Sequence, residues 1–214
     1  MVKLILLNDP AVADVDTVNI KSVYDPACAT GGMLSVAKEV LAELNPNINI
    51  SPFGQEVNEE TFAICQVDTL IKGDDARNIR FGNTLFDDKF TGDYRFDYIL
   101  SNPPFGREWK NEQAAVKREF AKGFNGRFGA VLSSVDDSQM LFLQSSLARM
   151  KPLEYGGTRI AIIHNGSPMF TGDAGSGSYD IRGCILEHDW LEAIVALPNE
   201  IFYNTACNLH LDFD

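Results

Sequence analysis

This chain predicts an α/β fold: a mostly parallel sheet with helices on both faces. Three observations lead there. Strand-like and helix-like segments alternate along most of the length. The first strand runs straight into a glycine turn that opens a helix. The run Phe96-Asp97-Tyr98-Ile99-Leu100-Ser101 reads as a buried strand. With 214 residues, the chain is long enough for one such domain and a sizeable core.

Strand one is expected at 20–25. A helix follows over Gly32–Leu44, stopped by Asn45-Pro46 because proline disfavours helical backbone in the residue before it. Ile48–Glu56 is the second strand, and Glu59–Ile71 a helix ended by Gly73. Ile79–Phe81 is a short third strand that leads into Gly82-Asn83-Thr84-Leu85, and the fourth strand covers 94–101. A polar, glycine-containing stretch at 106–136 then breaks the rhythm; a loop of that length is expected to be functional or mobile. A helix over 138–150, with Ser138 as its cap, is followed by a strand at 157–165, a Gly/Ser-rich loop at 171–178, a helix at 179–187 and a strand at 191–197. Residues 1–19 show no clear element. The last nine residues, 206–214, barely provide a seventh strand.

Composition excludes several classes. A chain that is 45% hydrophobic and 22% charged is ordinary for a globular protein. No apolar run reaches the ~18 residues that a membrane span needs, and the first seven residues are too short for a secretory signal. The four cysteines, Cys28, Cys65, Cys184 and Cys207, form no CxxC pair, so reduced cytoplasmic thiols are expected. The net charge of −12 argues against a stand-alone DNA binder, because phosphate contacts supply most non-specific affinity. One stretch differs. Residues 107–127 carry Arg107, Lys110, Lys117, Arg118, Lys122 and Arg127 against Glu108, Glu112 and Glu119, a net +3. That stretch reads as a solvated helical face or as a phosphate-contacting loop.

Candidate site residues cluster at strand ends, where open α/β sheets build their sites. Asn102-Pro103-Pro104-Phe105 ends the fourth strand. Two consecutive prolines fix φ and remove two backbone donors, leaving a stiff corner with free carbonyls. Such a corner can accept hydrogen bonds from a planar amino group and stack an aromatic ring on it, as chemistry on the exocyclic amine of a nucleobase requires. At the end of strand one, Asp25-Pro26-Ala27-Cys28-Ala29-Thr30-Gly31-Gly32 is a turn that lets a ligand approach the backbone and meet a helix N-terminus. It lacks the GxGxxG of dinucleotide enzymes, which disfavours a nicotinamide oxidoreductase. Asp25 there could pair with a cationic ligand. Glu56 ends strand two about 25 residues after the glycine turn, the position from which an acid accepts ribose hydroxyls. Asn83, followed by Thr84 and Leu85, offers an amide that could read an adenine edge.

Together these residues resemble the sites of S-adenosylmethionine-dependent methyltransferases, specifically the amino-group DNA methyltransferases. DPACATGGML, FGQEVNEETF, GNTL and FDYILSNPPFG are most similar to the modification subunit of type I restriction–modification systems, over about 20–205. The resemblance implies a three-layer Rossmann-like methyltransferase fold. It implies Asn102, Pro103, Pro104 and Phe105 as catalytic residues. Asp25, Pro26, Ala27, Cys28, Ala29, Thr30, Gly31, Gly32, Glu56, Asn83, Thr84 and Leu85 would bind S-adenosyl-L-methionine, with no metal. The implied reaction is methyl transfer to N6 of a flipped adenine in DNA. The implied partners are DNA gripped through a specificity subunit, a restriction subunit and a second modification subunit, in the cytoplasm and away from membranes. Where the family usually has glycine this chain has Ala29, whose methyl group could crowd the methionine end of the cofactor. The family's upstream helical domain, its pocket-closing segment and its C-terminal region have no counterpart here, so a single catalytic domain cut at both ends is expected. Two alternatives stay open: a protein-glutamine N-methyltransferase, and an inactive remnant or assembly module.

Overall fold

A computed structural model describes residues 1–7, 9–16, 18–198 and 209–213, with 167–168 and 209–213 described as backbone only. Seven strands among these residues form one sheet. In chain order they are β1 (Asn19–Asp25), β2 (Ile48–Glu56), β3 (Ile79–Phe81), β4 (Tyr98–Ser101), β5 (Arg159–His164), β6 (Leu191–Ala196) and β7 (Leu209–Phe213). Their order across the sheet is β3-β2-β1-β4-β5-β7-β6. β7 runs antiparallel to both of its neighbours, β5 and β6, and the other pairings are parallel. The chain leaves β1 toward β2 and β3 and then returns to place β4 on the other side of β1. The crevice at the carboxyl ends of β1 and β4 is therefore the topological switch point, where such sheets bind ligands.

Side-chain alternation builds a core on each face. In β4, Tyr98 and Leu100 join one cluster and Ile99 the other, as a period of two requires. The first face is covered by α1 (Val2–Leu7), α2 (Pro10–Ala13), α3 (Gly32–Leu44) and α4 (Glu59–Ile71). The second is covered by α5 (Gln113–Phe120), α6 (Gln139–Leu147) and, beyond the short α7 (Ser167–Phe170), α8 (Gly177–Glu187). The three-layer α/β architecture is thus as expected. The bounds of α3, β2, α4 and β3 also fall as read from the sequence. Local chemistry explains this for α4: Asn58 accepts the Thr61 N–H at 3.0 Å as N-cap, and Glu59 and Glu60 meet the positive end of the helix.

Other expectations need correction. Residues 1–19 are not featureless. Val2, Ile5 and Leu6 recur at helical spacing and are buried. Asn45 ties the following stretch down by donating to the Val12 and Asp14 carbonyls at 3.0 and 2.9 Å. β4 starts at Tyr98 rather than 94, because Phe96 makes only an isolated bridge to Met150. The last turn expected of α6 tightens instead, with Arg149 N–H donating to the Ser146 carbonyl at 2.9 Å. Residues 106–136 contain α5 and a 3₁₀ turn at Gly123–Asn125. The stretch docks on the core through Trp109, Val116 and Phe128, all buried. The Trp109 indole N–H donates to the Ser134 carbonyl at 2.7 Å. The end of the chain supplies a full strand, β7, over the alternating Leu209-His210-Leu211-Asp212-Phe213. No helix among the described residues is long and apolar enough to cross a membrane.

Candidate active site

The turn after β1 is shaped by its small residues. Gly31 lies at φ +83°, and a Cβ there would sit 2.7 Å from Cys65 Sγ. Gly32 has open space in the same direction, so a ligand can reach the backbone at the start of α3. Cys28 and Cys65 are buried beneath the turn with their sulfurs 4.0 Å apart. Contact with Cys65 and burial both push the Cys28 thiol up, which leaves it a packing group rather than a nucleophile. Ala29 is held at φ +47°, a left-handed conformation that an L-residue resists.

Two carboxylates frame this turn. Asp25 is buried, and its Oδ1 accepts the Ala27 N–H at 2.9 Å. Desolvation raises its pKa to about 7, with Glu56 adding to the rise and the Ala27 bond opposing it. Glu56 bridges segments: Oε2 accepts the Ala29 N–H at 2.8 Å and Oε1 the Asn58 N–H at 2.7 Å. Each oxygen keeps a further lone pair for a ligand.

The loop after β3 is fastened from several sides. Thr84 Oγ1 donates to the Pro26 carbonyl at 2.5 Å, joining this loop to the turn after β1. The Asn83 amide makes two bonds inside the protein. Its Nδ2 donates to Glu112 Oε1 at 2.7 Å and its Oδ1 accepts the Leu85 N–H at 2.9 Å. Arg127, read from sequence as part of a phosphate-contacting or solvated stretch, is buried. It holds Glu119 through Nε and Nη2 at 2.7 and 2.6 Å and donates to the Thr84 and Leu85 carbonyls. Arg127 therefore buttresses the loop and does not face nucleic acid. Lys110 pairs with Glu108 at 2.8 Å. Arg107, Lys117, Arg118 and Lys122 are exposed.

The proline corner leaves β4 into the crevice. Asn102 is exposed, Pro103 buried, and Pro104 and Phe105 half-buried. The Asn102 side chain has no hydrogen-bond partner among the described residues, so its amide is available. Two cavities meet at Asn102. The first, about 330 Å³, runs past Ala29, Glu56, Asn83 and Leu85 to Asn102 and Pro104. Pro26, Ala27 and Thr84 also line it. The second, about 710 Å³ and more open, holds Asp25, Cys28, Thr30 and Gly32 and is also lined by Ala27, Ala29 and Asn102. Of the predicted site residues, Gly31, Pro103 and Phe105 line neither cavity.

Nine cavity residues were not among the predicted site residues: Gln55, Val57, Asn58 and Gly82 beside predicted ones, and Arg107, Glu108, Glu112, Ser138 and Phe142 from beyond the proline corner. Ser138 stands at the N-cap position of α6, as expected, but its side chain makes no capping bond. Its Oγ is buried and has no hydrogen-bond partner among the described residues. The docking of 106–136 and α6 onto the crevice brings the last five of these residues to the cavity.

Sheet order and layers are those of a Rossmann-like α/β fold, shared with a class I S-adenosylmethionine-dependent methyltransferase of Listeria monocytogenes at a TM-score of 0.68 and 17% identity, over 92% of this chain and 54% of that one. The chain belongs to the N-6 DNA methylase family, whose model matches residues 2–211. It is 29% identical over 203 residues to the type I restriction enzyme MjaIX methylase subunit of Methanocaldococcus jannaschii, covering 93% of this chain and 34% of that one. It is 30% identical over 185 residues to the HindI methylase subunit of Haemophilus influenzae, covering 86% and 39%. The chain thus spans between a third and two-fifths of the length of these relatives. The crystal structure of the type I restriction–modification system methyltransferase subunit from Streptococcus thermophilus has the same fold. Its TM-score is 0.79 at 22% identity, over 100% of this chain and 42% of that one.

Proposed function

We propose that this chain is the methyl-transferring domain of an adenine-N6 DNA methyltransferase, the modification subunit of a type I restriction–modification complex, with S-adenosylmethionine as donor. The position of Asn102 carries the reading: an amide with no hydrogen-bond partner among the described residues, at the switch point, on the wall shared by two cavities, followed by two prolines. The residues around it fit the donor. Glu56 would hold the ribose hydroxyls, and Thr84 and Leu85 the adenine side. Asp25 would face the ammonium group, and the open space at Gly32 admits the chain of the amino acid. When bound, S-adenosylmethionine supplies a methyl group already activated on a sulfonium.

The protein's own part is acceptance and positioning. The adenine amine is a poor nucleophile because its lone pair is drawn into the ring. Asn102 Oδ1 and the Pro103 carbonyl accept its two N–H groups, favour a tetrahedral nitrogen and stabilise the positive charge that grows there. After the transfer the methylated nitrogen, which is strongly acidic while it carries the extra proton, releases that proton to water; the two carbonyl oxygens accept hydrogen bonds and do not take it. Phe105 stacks on the flipped base and sets its angle. With a net charge of −12, the chain grips DNA through a specificity subunit, alongside a second modification subunit and a restriction subunit. Arg107, Lys117, Arg118, Lys122 and the 171–178 loop face the extruded strand or these partners. Such a complex works in the cytoplasm.

The test has two stages. Calorimetric titration with S-adenosylmethionine should show one site. A mixture of chain, DNA and specificity subunit should then yield 6-methyladenine. Methyl groups on a protein amide, with none on DNA, would transfer the assignment to a protein-glutamine methyltransferase. No binding at millimolar donor would remove it.

A further inference from the structure

We infer that Glu112, held in place by Asn83, reads the amino edge of the ligand's purine ring. This role rests on the cofactor reading above. Asn83 stands where an adenine-reading amide is expected, and each of its polar atoms already makes one bond, Nδ2 to Glu112 Oε1 and Oδ1 from the Leu85 N–H, which leaves it one N–H and one lone pair. Asn83 is a bracket, and what it positions is a carboxylate.

Glu112 is 5% exposed and lines the 330 Å³ cavity. No cation pairs with it among the described residues, and the Asn83 amide is its only side-chain donor there. Its Oε2 makes no hydrogen bond among the described residues, and the cavity that Glu112 lines is the space open to it. A carboxylate withdrawn from water is stable only where donors surround it, so this oxygen calls for an N–H from whatever fills the cavity. A 6-aminopurine brings that N–H. A 6-oxopurine brings a carbonyl oxygen, which the carboxylate repels. The same cavity carries Leu85, Pro104 and Phe142, apolar surface for a planar ring. Glu56, on another strand end, is left for the sugar. Glu112 enters from the segment after the proline corner, so ring selection depends on the docking of 106–136.

The experiment compares calorimetric binding of S-adenosylhomocysteine and S-inosylhomocysteine to the wild-type chain and to Glu112→Gln. Glutamine keeps an oxygen for Asn83 and turns a donor toward the purine. The wild type should prefer the adenosyl ligand by about 100-fold or more, as sites built to hydrogen-bond a ligand group do. Glu112→Gln should bind the adenosyl ligand about tenfold more weakly and the inosyl ligand more tightly, shrinking the preference at least tenfold. Because the readout is a ratio within one variant, a general loss of fold does not imitate it. An unchanged ratio overturns the role. So does a wild type that binds both ligands equally, although the cofactor reading survives that result. A wild type that binds neither ligand removes the cofactor reading and this role together.

Discussion

Glu56 Oε2 accepts the backbone N–H of Ala29 at 2.8 Å, so the acid that ends β2 fixes the turn that ends β1. The bond holds Ala29 at φ +47°. Left-handed backbone costs an L-residue about 1–2 kcal/mol. Glycine removes that cost but gains about 0.4–1 kcal/mol of unfolded-state freedom. Ala29→Gly should therefore stabilise the chain by up to about 1 kcal/mol, read as a slightly higher Tm. It should also tighten S-adenosylmethionine binding, because a methyl group leaves the wall of both cavities. A lower Tm and weaker binding together would contradict this account of the turn.

Asp25 makes stability depend on pH. Its carboxyl titrates at the ordinary 3.8 when unfolded and at about 7 when folded. Between those values the folded chain binds more protons than the unfolded one, so stability falls as pH rises through the window. The penalty is absent below about pH 4 and complete above about pH 7. A shift of about three units corresponds to roughly 4 kcal/mol. Asp25→Asn keeps an acceptor for the Ala27 N–H without the buried charge. Urea unfolding should show it more stable than wild type at pH 8, by on the order of 2–4 kcal/mol, with the gap closing toward pH 4. Its affinity for a ligand ammonium should fall. Parallel pH profiles for the two proteins would refute the assignment.

Arg127 and Arg118 lie nine positions apart in one basic stretch and do different work. Removing Arg127 leaves Glu119 half-buried without its partner and two carbonyls without donors. Arg127→Ala should cost about 3–5 kcal/mol, as breaking a buried pair does. Arg118→Ala, at an exposed position, should stay within about 0.5 kcal/mol. Equal effects in chemical denaturation would return Arg127 to the surface.

That contrast shows where the sequence is legible. α3, β2, α4 and β3 carry their own boundaries: Gly31 at a positive φ, the Asn58 cap, the stop at Asn45-Pro46. Those signals lie within a few residues of what they control. The strand ends with Asp25, Glu56, Asn83 and Asn102 are legible for the same reason, since a parallel sheet gathers its carboxyl ends. Residues 106–136 are not legible, because Trp109, Val116 and Phe128 become core only against α6 and β5. Charge counting mistook Arg127 for a surface group, and turn chemistry placed Ser138 at the N-cap but could not show that its hydroxyl turns away from the helix toward the cavity. Val2, Ile5 and Leu6, and the alternation over 209–213, were signals in plain view, too short to stand out from coil.

Ser138 separates folding from binding. Its buried Oγ has no partner, and an unsatisfied buried hydroxyl costs about 1–3 kcal/mol. Ser138→Ala should leave stability unchanged or slightly higher, and should weaken S-adenosylmethionine binding several-fold, because the hydroxyl lines the cavity. A clear loss of stability with full binding would assign Ser138 to the fold instead.

The central claim is that the Asn102 amide serves the transfer and not the donor. The measurement is 6-methyladenine formed per chain by Asn102→Ala in the presence of DNA and a specificity subunit, with donor affinity read on the same preparation. The account predicts methyl transfer reduced by about 100-fold or more, the scale of losing one positioned acceptor, with donor affinity within about threefold of wild type. Transfer at the wild-type rate would contradict it.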